Sequence, residues 1–382
     1  MKIVHVLPLL SKGGGERVAV ELSNHAAQAG HTVSLIVAGP ADPALLQDSV
    51  HPDIGIKFVL RTGTSRVARY VQLLPWLWRN RGWLMQQDII HCHLTYGSLV
   101  GMLIGKWRKI SRANRPMIVE TYHSVGMGIP AFNRWVHARL AAGRDGLALM
   151  AEDTYWRRFI AAHGNLTIKI IPNGVSLGAT GKVSQAERDA YRKQIGIPDD
   201  CRLIVGTVGM MRPDRKPWLL IPIFAEVARV MGPDIHFLIA GGGPEIGRVK
   251  SLAAEHGLEG RVHLPGLVIK PQLPFSLIDL YVTLNVGTLT GIAALEAALT
   301  DCPLVAIQLS SEFQRRPDDW IWSSADPMEM AGEIERLLRS AQARRALAND
   351  QSAHVRANHT TDVMAEAYYD LYRTAQERSQ IQ

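Results

Sequence analysis

Short apolar runs recur along the chain and alternate with stretches in which apolar positions fall three and four residues apart. The first run, Lys2 to Leu10, reads as a buried strand. It leads through a glycine loop into a helix on which Val18, Leu22 and Ala26 share a face, and Gly30 stops that helix before a strand over His31 to Ala38. The same alternation predicts a strand at Ile56 to Leu60, a helical region through Trp83, a strand at Asp88 to His93, a helix at Ser98 to Trp107 and a strand at Pro116 to Tyr122. Strands apolar on both faces, interleaved with helices, predict a parallel sheet covered by helices.

Ile168 to Val175 ends in a Pro-Asn-Gly turn, and the small, polar segment Ser176 to Gln185 reads as a linker. A second alternating series follows, with strands expected at Arg202 to Val208, Ile235 to Ala240, Val262 to Pro265, Leu280 to Leu284 and Leu304 to Ile307. Helices are expected over 327 to 347 and 361 to 378, the latter with Met364, Tyr368 and Tyr372 on one face. At 382 residues the chain exceeds the size of one hydrophobic core. The expected domains are 1–178 and 179–360, with 361–382 a C-terminal helix free to cross back to the first.

Composition is ordinary, 47% hydrophobic and 20% charged, which excludes disordered and fibrous classes. Charge is not evenly spread. Residues 1–178 carry 20 Lys and Arg against 10 Asp and Glu, leaving 22 against 25 for the rest, so the net +7 belongs to the first half. That asymmetry points to an anionic partner. Cys92, Cys201 and Cys302 are far apart, with no CxxC pair, which fits a reducing cytoplasm. The opening MKIVHVLPLL reads as a first strand rather than a cleaved leader, and no run reaches the length of a membrane-spanning helix.

Four glycine-bearing loops stand where strands end: Gly13 to Gly15, Gly206 to Gly209, Gly241 to Gly243, and Gly287 to Gly291. In open α/β sheets ligands bind beyond the carboxyl ends of strands, and glycine lets backbone amides approach phosphate oxygens. The last of these loops opens into a helix carrying Glu296, so unpaired N–H groups and the helix dipole favour an anion there. No G-x-G-x-x-G with a following acid and no P-loop occurs, which disfavours dinucleotide and P-loop readings. Arg212, Arg215 and Lys216 cluster after the first strand of the second half, where they are placed to neutralise a diphosphate or are simply a solvated basic turn.

These features resemble, in order and over nearly the whole chain, the retaining nucleotide-sugar glycosyltransferases of the GT-B fold, family 4 of that class. The matching segments are GGGER, GHTV, TYHS, IIPNGV, VGMMRPDRK, LIAGGGPE, VHLPGLV and GIAALEAALTDCPLVA. The resemblance implies an α/β GT-B architecture, two Rossmann-like parallel-sheet domains facing a central cleft. It implies that Gly14 lies near donor phosphates or acceptor and that His123 contacts the transferred sugar. It implies that Lys216, seven residues after Gly209, binds the diphosphate, with Arg215 the alternative for that place and Arg212 a substitute for the family's arginine, that Leu267 and Val268 frame the nucleobase, that Gly291 and Ile292 give amides to sugar and phosphate, and that Glu296 holds the ribose. The family's usual arginine after the glycine is Met210 here, and the first of its paired glutamates is Thr288, a shorter, uncharged side chain.

The implied activity is transfer of a sugar from a nucleotide-sugar donor to a glycan or lipid-linked glycan acceptor in cell-envelope polysaccharide assembly, such as lipopolysaccharide, with retention of configuration. No cofactor is implied. No Asp-x-Asp occurs, which agrees with a metal-free site. The alternatives are a non-catalytic relative, because of Thr288, or another GT-B enzyme such as a sugar-nucleotide epimerase.

The basic first half interleaves charge with tryptophan: Arg66, Arg69, Trp76, Trp78, Arg79, Arg81 and Trp83, then Lys106, Trp107, Arg108, Lys109, Arg112 and Arg115. This predicts an anionic membrane surface as partner, hence a cytoplasmic protein peripheral at the inner face of the membrane, with the tryptophans as core residues the competing reading. No nucleic-acid motif accompanies the charge. His91 and His93 alternate along a strand and share a face; with no third ligand at suitable spacing, they and His5 read as structural.

Overall fold

The computed structural model describes the chain except residues 11–12, 42–45, 48, 61–65, 124–134, 136–142, 152–157, 159–161, 163–165, 180, 182, 269, 271, 286–288, 310–318 and 382. It divides into two compact units, Met1–Gly174 with Thr361–Gln382, and Val175–Thr360. The expected junction at residue 178 lies slightly beyond this division. Val175 and Thr360 form a parallel bridge, so the second unit leaves and rejoins the first unit's chain at adjacent points.

The first unit holds a parallel sheet of β1 (Lys2–Leu7), β2 (Thr32–Val37), β3 (Gly55–Phe58), β4 (Ile89–His93), β5 (Met117–Tyr122), β6 (Gly146–Leu149) and β7 (Thr167–Ile170), in the order β3-β2-β1-β4-β5-β6-β7. Its described helices include α1 (Gly14–Gln28), α2 (Arg66–Arg79), α3 (Arg81–Leu84) and α4 (Leu94–Ile110). β1, β4 and β5 are buried almost end to end, because helices cover both faces. Their β-branched runs suit that environment. The core of one face gathers Val4, Val6, Ile36, Leu73, Leu77, Ile90, Val100, Ile104 and Ile118.

The second unit holds β8 (Leu203–Val208), β9 (Ile235–Ala240), β10 (Val262–His263), β11 (Leu280–Asn285), β12 (Leu304–Gln308) and β13 (Ser323–Ser324), all parallel, in the order β10-β9-β8-β11-β12-β13. Around it lie α5 (Gln185–Gln194), α6 (Leu220–Met231), α7 (Ile246–Glu255), α8 (Gln272–Leu277), α9 (Ile292–Leu299), α10 (Pro327–Leu338) and α11 (Ala341–Asn358). Ser184 and Glu187 form a reciprocal capping box at the start of α5. The span 327–347, expected as one helix, is broken: α10 ends, Ser340 caps Ala343 N, and α11 begins.

The last helix, α12 (Thr361–Ile381), packs against α1, β5, β6 and β7 of the first unit. Met364, Tyr368 and Tyr372 are buried on its inner face together with Leu371 and Ala375. Each large side chain buried there is worth about 1.5–3 kcal/mol, which is enough to hold a helix that returns from the far end of the chain.

Both sheets grow in one direction over their first three strands and then reverse, between β1 and β4 and between β8 and β11. At such a reversal the loops after the two central strands splay apart and leave a crevice beyond their carboxyl ends. The glycine loops at Gly13 and Gly209 fall at these ends, and that at Gly241 follows the neighbouring β9. Three strands, β6, β7 and the short β13, were not anticipated from the pattern. No described helix is long and apolar enough to cross a membrane.

Candidate active site

In the first unit the crevice is built from the ends of β1, β4 and β5. α1 starts immediately after Gly13, which is extended and bears no side-chain cap. Gly14 begins the helix, and Gly15 lies against His123: a Cβ at residue 15 would come 3.2 Å from His123 Cγ and 3.3 Å from Leu94 Cδ2. A side chain there would push the helix start and the imidazole apart. His123 is thus brought against Gly15, at the start of α1.

Behind His123 stands a group that the sequence reading did not assemble. β1 and β4 pair in register with His5 opposite His91, and β4 pairs with β5 so that His93 is opposite Thr121. Side chains on one face of neighbouring parallel strands stack, so His5, His91 and His93 converge and His123 follows at the end of β5. His93 Nδ1 lies 2.9 Å from His123 Nε2, and His93 Nε2 lies 2.9 Å from His5 Nδ1. His91 takes other partners: its Nε2 is 2.7 Å from Thr121 Oγ1 and its Nδ1 2.8 Å from the Tyr372 hydroxyl of α12. Tyr368 completes the link at 2.9 Å from Thr121 Oγ1.

The expectation that no third ring accompanies His91 and His93 is therefore corrected. The partner is His5, which reaches them through strand order rather than through sequence spacing. The ligand nitrogens of His5, His91 and His93 lie within 4.8 Å of one another. Both nitrogens of His91 and both of His93 are nonetheless directed at hydrogen-bond partners, so the arrangement as it stands is a hydrogen-bonded array and not a metal cage.

Burial pushes the His5 pKa from 6.5 down to about 3 and that of His123 down to about 4. His91 and His93 are driven well below 6.5 by burial first and by the neighbouring histidines second. All four rings are neutral at pH 7. Each offers one N–H donor and one lone pair rather than a charge.

In the second unit three strand-end loops are stitched together by their backbones. Gly209 N donates to Ala240 O, Met211 N to Gly242 O, Gly241 N to Gly266 O and Glu245 N to Met211 O. Gly241 and Gly243 have φ of 150° and 149°, and a Cβ on either would land on the carbonyl of Gly209 or of Met211. Only glycine fits this interlock. It carries Leu267, largely exposed, beside the loop of Gly242, while Val268 packs on the apolar cluster under the sheet.

The chain then passes through two short 3-10 turns, Pro213–Arg215 and Pro217–Leu219. Lys216, between them, has φ 47° and ψ 49°. A following proline disfavours the right-handed helical region, and Lys216 occupies the left-handed one instead, a conformation uncommon for a lysine. Arg212, Arg215 and Lys216 are exposed. Arg212 makes a two-pronged pair with Asp214, 2.9 Å from Nε to Oδ1 and 2.7 Å from Nη2 to Oδ2. Exposed pairs of this kind contribute at most about 1 kcal/mol, so an anionic ligand can compete for the guanidinium.

Across the reversal, Gly291 is the extended N-cap of α9, with no side-chain cap, and Ile292 is its first residue. Glu296 is not a helix-surface carboxylate but is buried, 4% exposed, one turn into α9. Thr288 lies outside the described residues, as does Gly287.

The basic and tryptophan-rich segments separate on inspection. Trp76 donates its ring N–H to Phe58 O at 2.9 Å and packs on the core, as does Trp83. Arg108 is buried and forks onto Asp145, Arg69 reaches Pro8 O, and Arg115 pairs with Asp88. Trp76, Trp83, Arg69 and Arg108 do not belong to an open patch, whereas the Arg115 side chain stays exposed. What remains outward is α2, whose Val67, Tyr70, Val71, Leu74 and Trp78 form an exposed apolar stripe at helical spacing, with Arg79, Arg81, Lys106, Lys109 and Arg112 exposed. Trp78 stacks on Trp107 at 6.3 Å, and Arg81 lies over it at 4.4 Å. The Arg66 side chain lies outside the described residues.

Residues 12–178 match the family model described as Glycosyltransferase Family 4, and residues 202–340 match that described as Glycosyl transferases group 1. Among characterised proteins, the chain is 26% identical over 183 residues to the 2-deoxystreptamine glucosyltransferase of Streptomyces kanamyceticus, an alignment covering 47% of this chain and 45% of that one. It is 28% identical over 195 residues to the alpha-D-kanosaminyltransferase of the same organism, covering 50% of each. The chain thus spans about half the length of these relatives. Solved structures of similar fold include Alr3699/HepE of Anabaena in complex with UDP and glucose, with a TM-score of 0.76, 17% identity and coverage of 98% of this chain and 100% of that one. WaaG, involved in lipopolysaccharide biosynthesis, has a TM-score of 0.69 at 13% identity, covering 96% and 98%.

Proposed function

The chain belongs to the GT-B glycosyltransferases of the family 4 type, and on that premise we propose that it moves a sugar from a nucleoside-diphosphate donor to a glycan or lipid-linked glycan acceptor, with retention of configuration, in envelope polysaccharide assembly. One observation carries the reading. The loop after β8 with its left-handed Lys216 and the start of α9 flank the strand reversal of the second unit, and the glycine loops after β9 and β10 are stitched to the first by backbone hydrogen bonds. Backbone amides, a helix dipole and side-chain cations together suit a diphosphate and, in the reaction, the charge that builds on it as it leaves.

In this reading Lys216, Arg215 and Arg212 take the diphosphate, with Gly209, Gly291 and Ile292 supplying close backbone. Leu267 and Val268 frame the base, and the buried Glu296 accepts from the ribose hydroxyls. His123, neutral, hydrogen-bonds a hydroxyl of the transferred sugar near Gly14. The bond from the anomeric carbon to the diphosphate oxygen breaks, and the acceptor oxygen bonds to the same face. The acceptor's proton passes to the departing diphosphate. No protein carboxylate is used as a nucleophile, in contrast to the two-carboxylate glycosidases, and charge stabilisation rests on Arg and Lys rather than on a metal. The WaaG neighbour supports the envelope setting, and the apolar stripe of α2 with its flanking cations supports docking on anionic lipid at the inner face of the membrane.

The test is thermal unfolding with UDP, GDP and ADP, followed by transfer assays with the matching nucleotide sugars. One nucleoside diphosphate raises Tm for the wild type and not for Glu296→Ala. A chain that none of them stabilises is not a nucleotide-sugar enzyme. Stabilisation without any transfer or donor hydrolysis favours the second reading, a non-catalytic relative, which the threonine at 288 motivates.

A further inference from the structure

The histidine array beneath His123 has a property that no single ring possesses. His123, His93 and His5 are joined end to end through Nε2···Nδ1 contacts of 2.9 Å. The rings lie nearly parallel, with centroids 5.2 Å apart at each step and interplanar angles of 30° and 21°. His5 and His93 are buried, and Gly15 closes on the outer face of His123. A nitrogen pair at that separation holds one proton: two lone pairs repel, and two N–H groups clash.

We propose that His93 and His5 are positioning residues that lock the tautomer of His123 to their own, so that His123 Nδ1 changes between donor and acceptor toward the donor sugar only when the two rings buried behind it change with it. The proposal rests on the transferase reading for what Nδ1 meets and on geometry alone for the lock.

The lock follows from counting protons. If His123 Nε2 carries the hydrogen, it donates to His93 Nδ1, which must be a lone pair. The His93 hydrogen is then on Nε2 and donates to His5 Nδ1, which leaves the His5 hydrogen on Nε2. If instead His93 donates from Nδ1 to His123 Nε2, then His5 donates from Nδ1 to His93 Nε2, and the His123 hydrogen sits on Nδ1. In either state all three rings share one tautomer. In the first, His123 presents a lone pair at Nδ1; in the second, an N–H. The depressed pKa values of all three keep the chain neutral at physiological pH, which is the condition under which this count applies. His91 is outside the chain, because Thr121 and Tyr372 take its two nitrogens.

The test uses the full chain labelled with 15N-histidine and read by long-range proton–nitrogen correlation at pH 7.5, with signals assigned through single substitutions. The expected result is one protonated nitrogen per ring, the same nitrogen in His5, His93 and His123. Different tautomers among the three would overturn the proposal, and this reading needs no variant to fold. In His93→Phe, which keeps a ring but no nitrogen, the His123 nitrogens are expected to move toward the averaged shifts of an unconstrained imidazole. His123 shifts unaltered in a folded His93→Phe would also overturn it. One tightly bound zinc per chain, lost in His93→Phe, would do the same, since the metal would take the lone pairs that the lock uses. A shared tautomer that no nucleotide sugar perturbs leaves the lock standing and counts against the transferase reading instead.

Discussion

Neutral histidines buried in the first unit should make the fold lose stability steeply with acid, and His5 is the cleanest probe. It is 1% exposed, and burial lowers its pKa from 6.5 to about 3. Below pH 6.5 the unfolded chain takes a proton at residue 5 that the folded chain refuses. The stability is therefore fully present above about 6.5 and is lost as pH falls from there toward 3. Each unit is worth about 1.4 kcal/mol, so at pH 5 His5 alone costs about 2 kcal/mol. His123, held to about 4, and His91 and His93, held well below 6.5, act with the same sign. These contributions add to that of His5, so the loss at pH 5 exceeds what His5 alone gives. The assay is urea unfolding of the full chain at several pH values from 8 to 5, for the wild type and for His5→Asn, which keeps a hydrogen-bonding amide but no titrating group. Stability of the variant should fall less steeply below pH 6.5, by up to about 1.4 kcal/mol per pH unit. Equal slopes would mean that His5 is protonated in the folded chain, and the account of the neutral array would be wrong.

Three further outcomes follow from packing and surface. Gly241→Ala forces a Cβ onto Gly209 O at a φ that only glycine tolerates, so the loop interlock opens and nucleoside-diphosphate stabilisation disappears; Gly260→Ala, with φ 77° and nothing within 4 Å, should cost only about 1–2 kcal/mol and leave ligand binding intact, and equal effects of the two would refute the interlock. Arg144→Met strands the Glu120 carboxylate, which accepts from Arg144 Nε in a fully buried pair, at a cost of about 3–5 kcal/mol, and adding Glu120→Leu should recover part of it in chemical denaturation; a double variant no more stable than the single would argue against a stranded charge. Val71→Glu with Leu74→Glu on the exposed stripe of α2 should abolish cosedimentation with anionic vesicles and leave Tm within a degree or two, whereas undiminished cosedimentation would remove α2 from any lipid contact.

The chain's local patterns carried much of this protein. Apolar runs marked β4, β5, β8, β9, β11 and β12 within a residue or two and β1 with its end three residues too late, because each run is bounded by glycine, proline or polar residues, and period-3.6 hydrophobicity marked α1. Ordered glycine loops marked strand ends in both sheets. β6 escaped because Gly146–Leu149 is four residues long, and the break at Ser340 escaped although its capping serine was in plain view. Other features could not be read locally, since they depend on which strands become neighbours. His5, His91, His93 and His123 are spread over more than a hundred residues and meet only because β1 lies beside β4 and β4 beside β5, with registers that put one face of each in line. Arg108 and Trp76 looked like surface charge and surface aromatic in the linear pattern, yet an aspartate at 145 and a carbonyl at 58 draw them inward. Hydrophobic periodicity is a property of adjacent residues and survives in the sequence. Convergence of polar side chains is a property of strand order, which long-range packing decides.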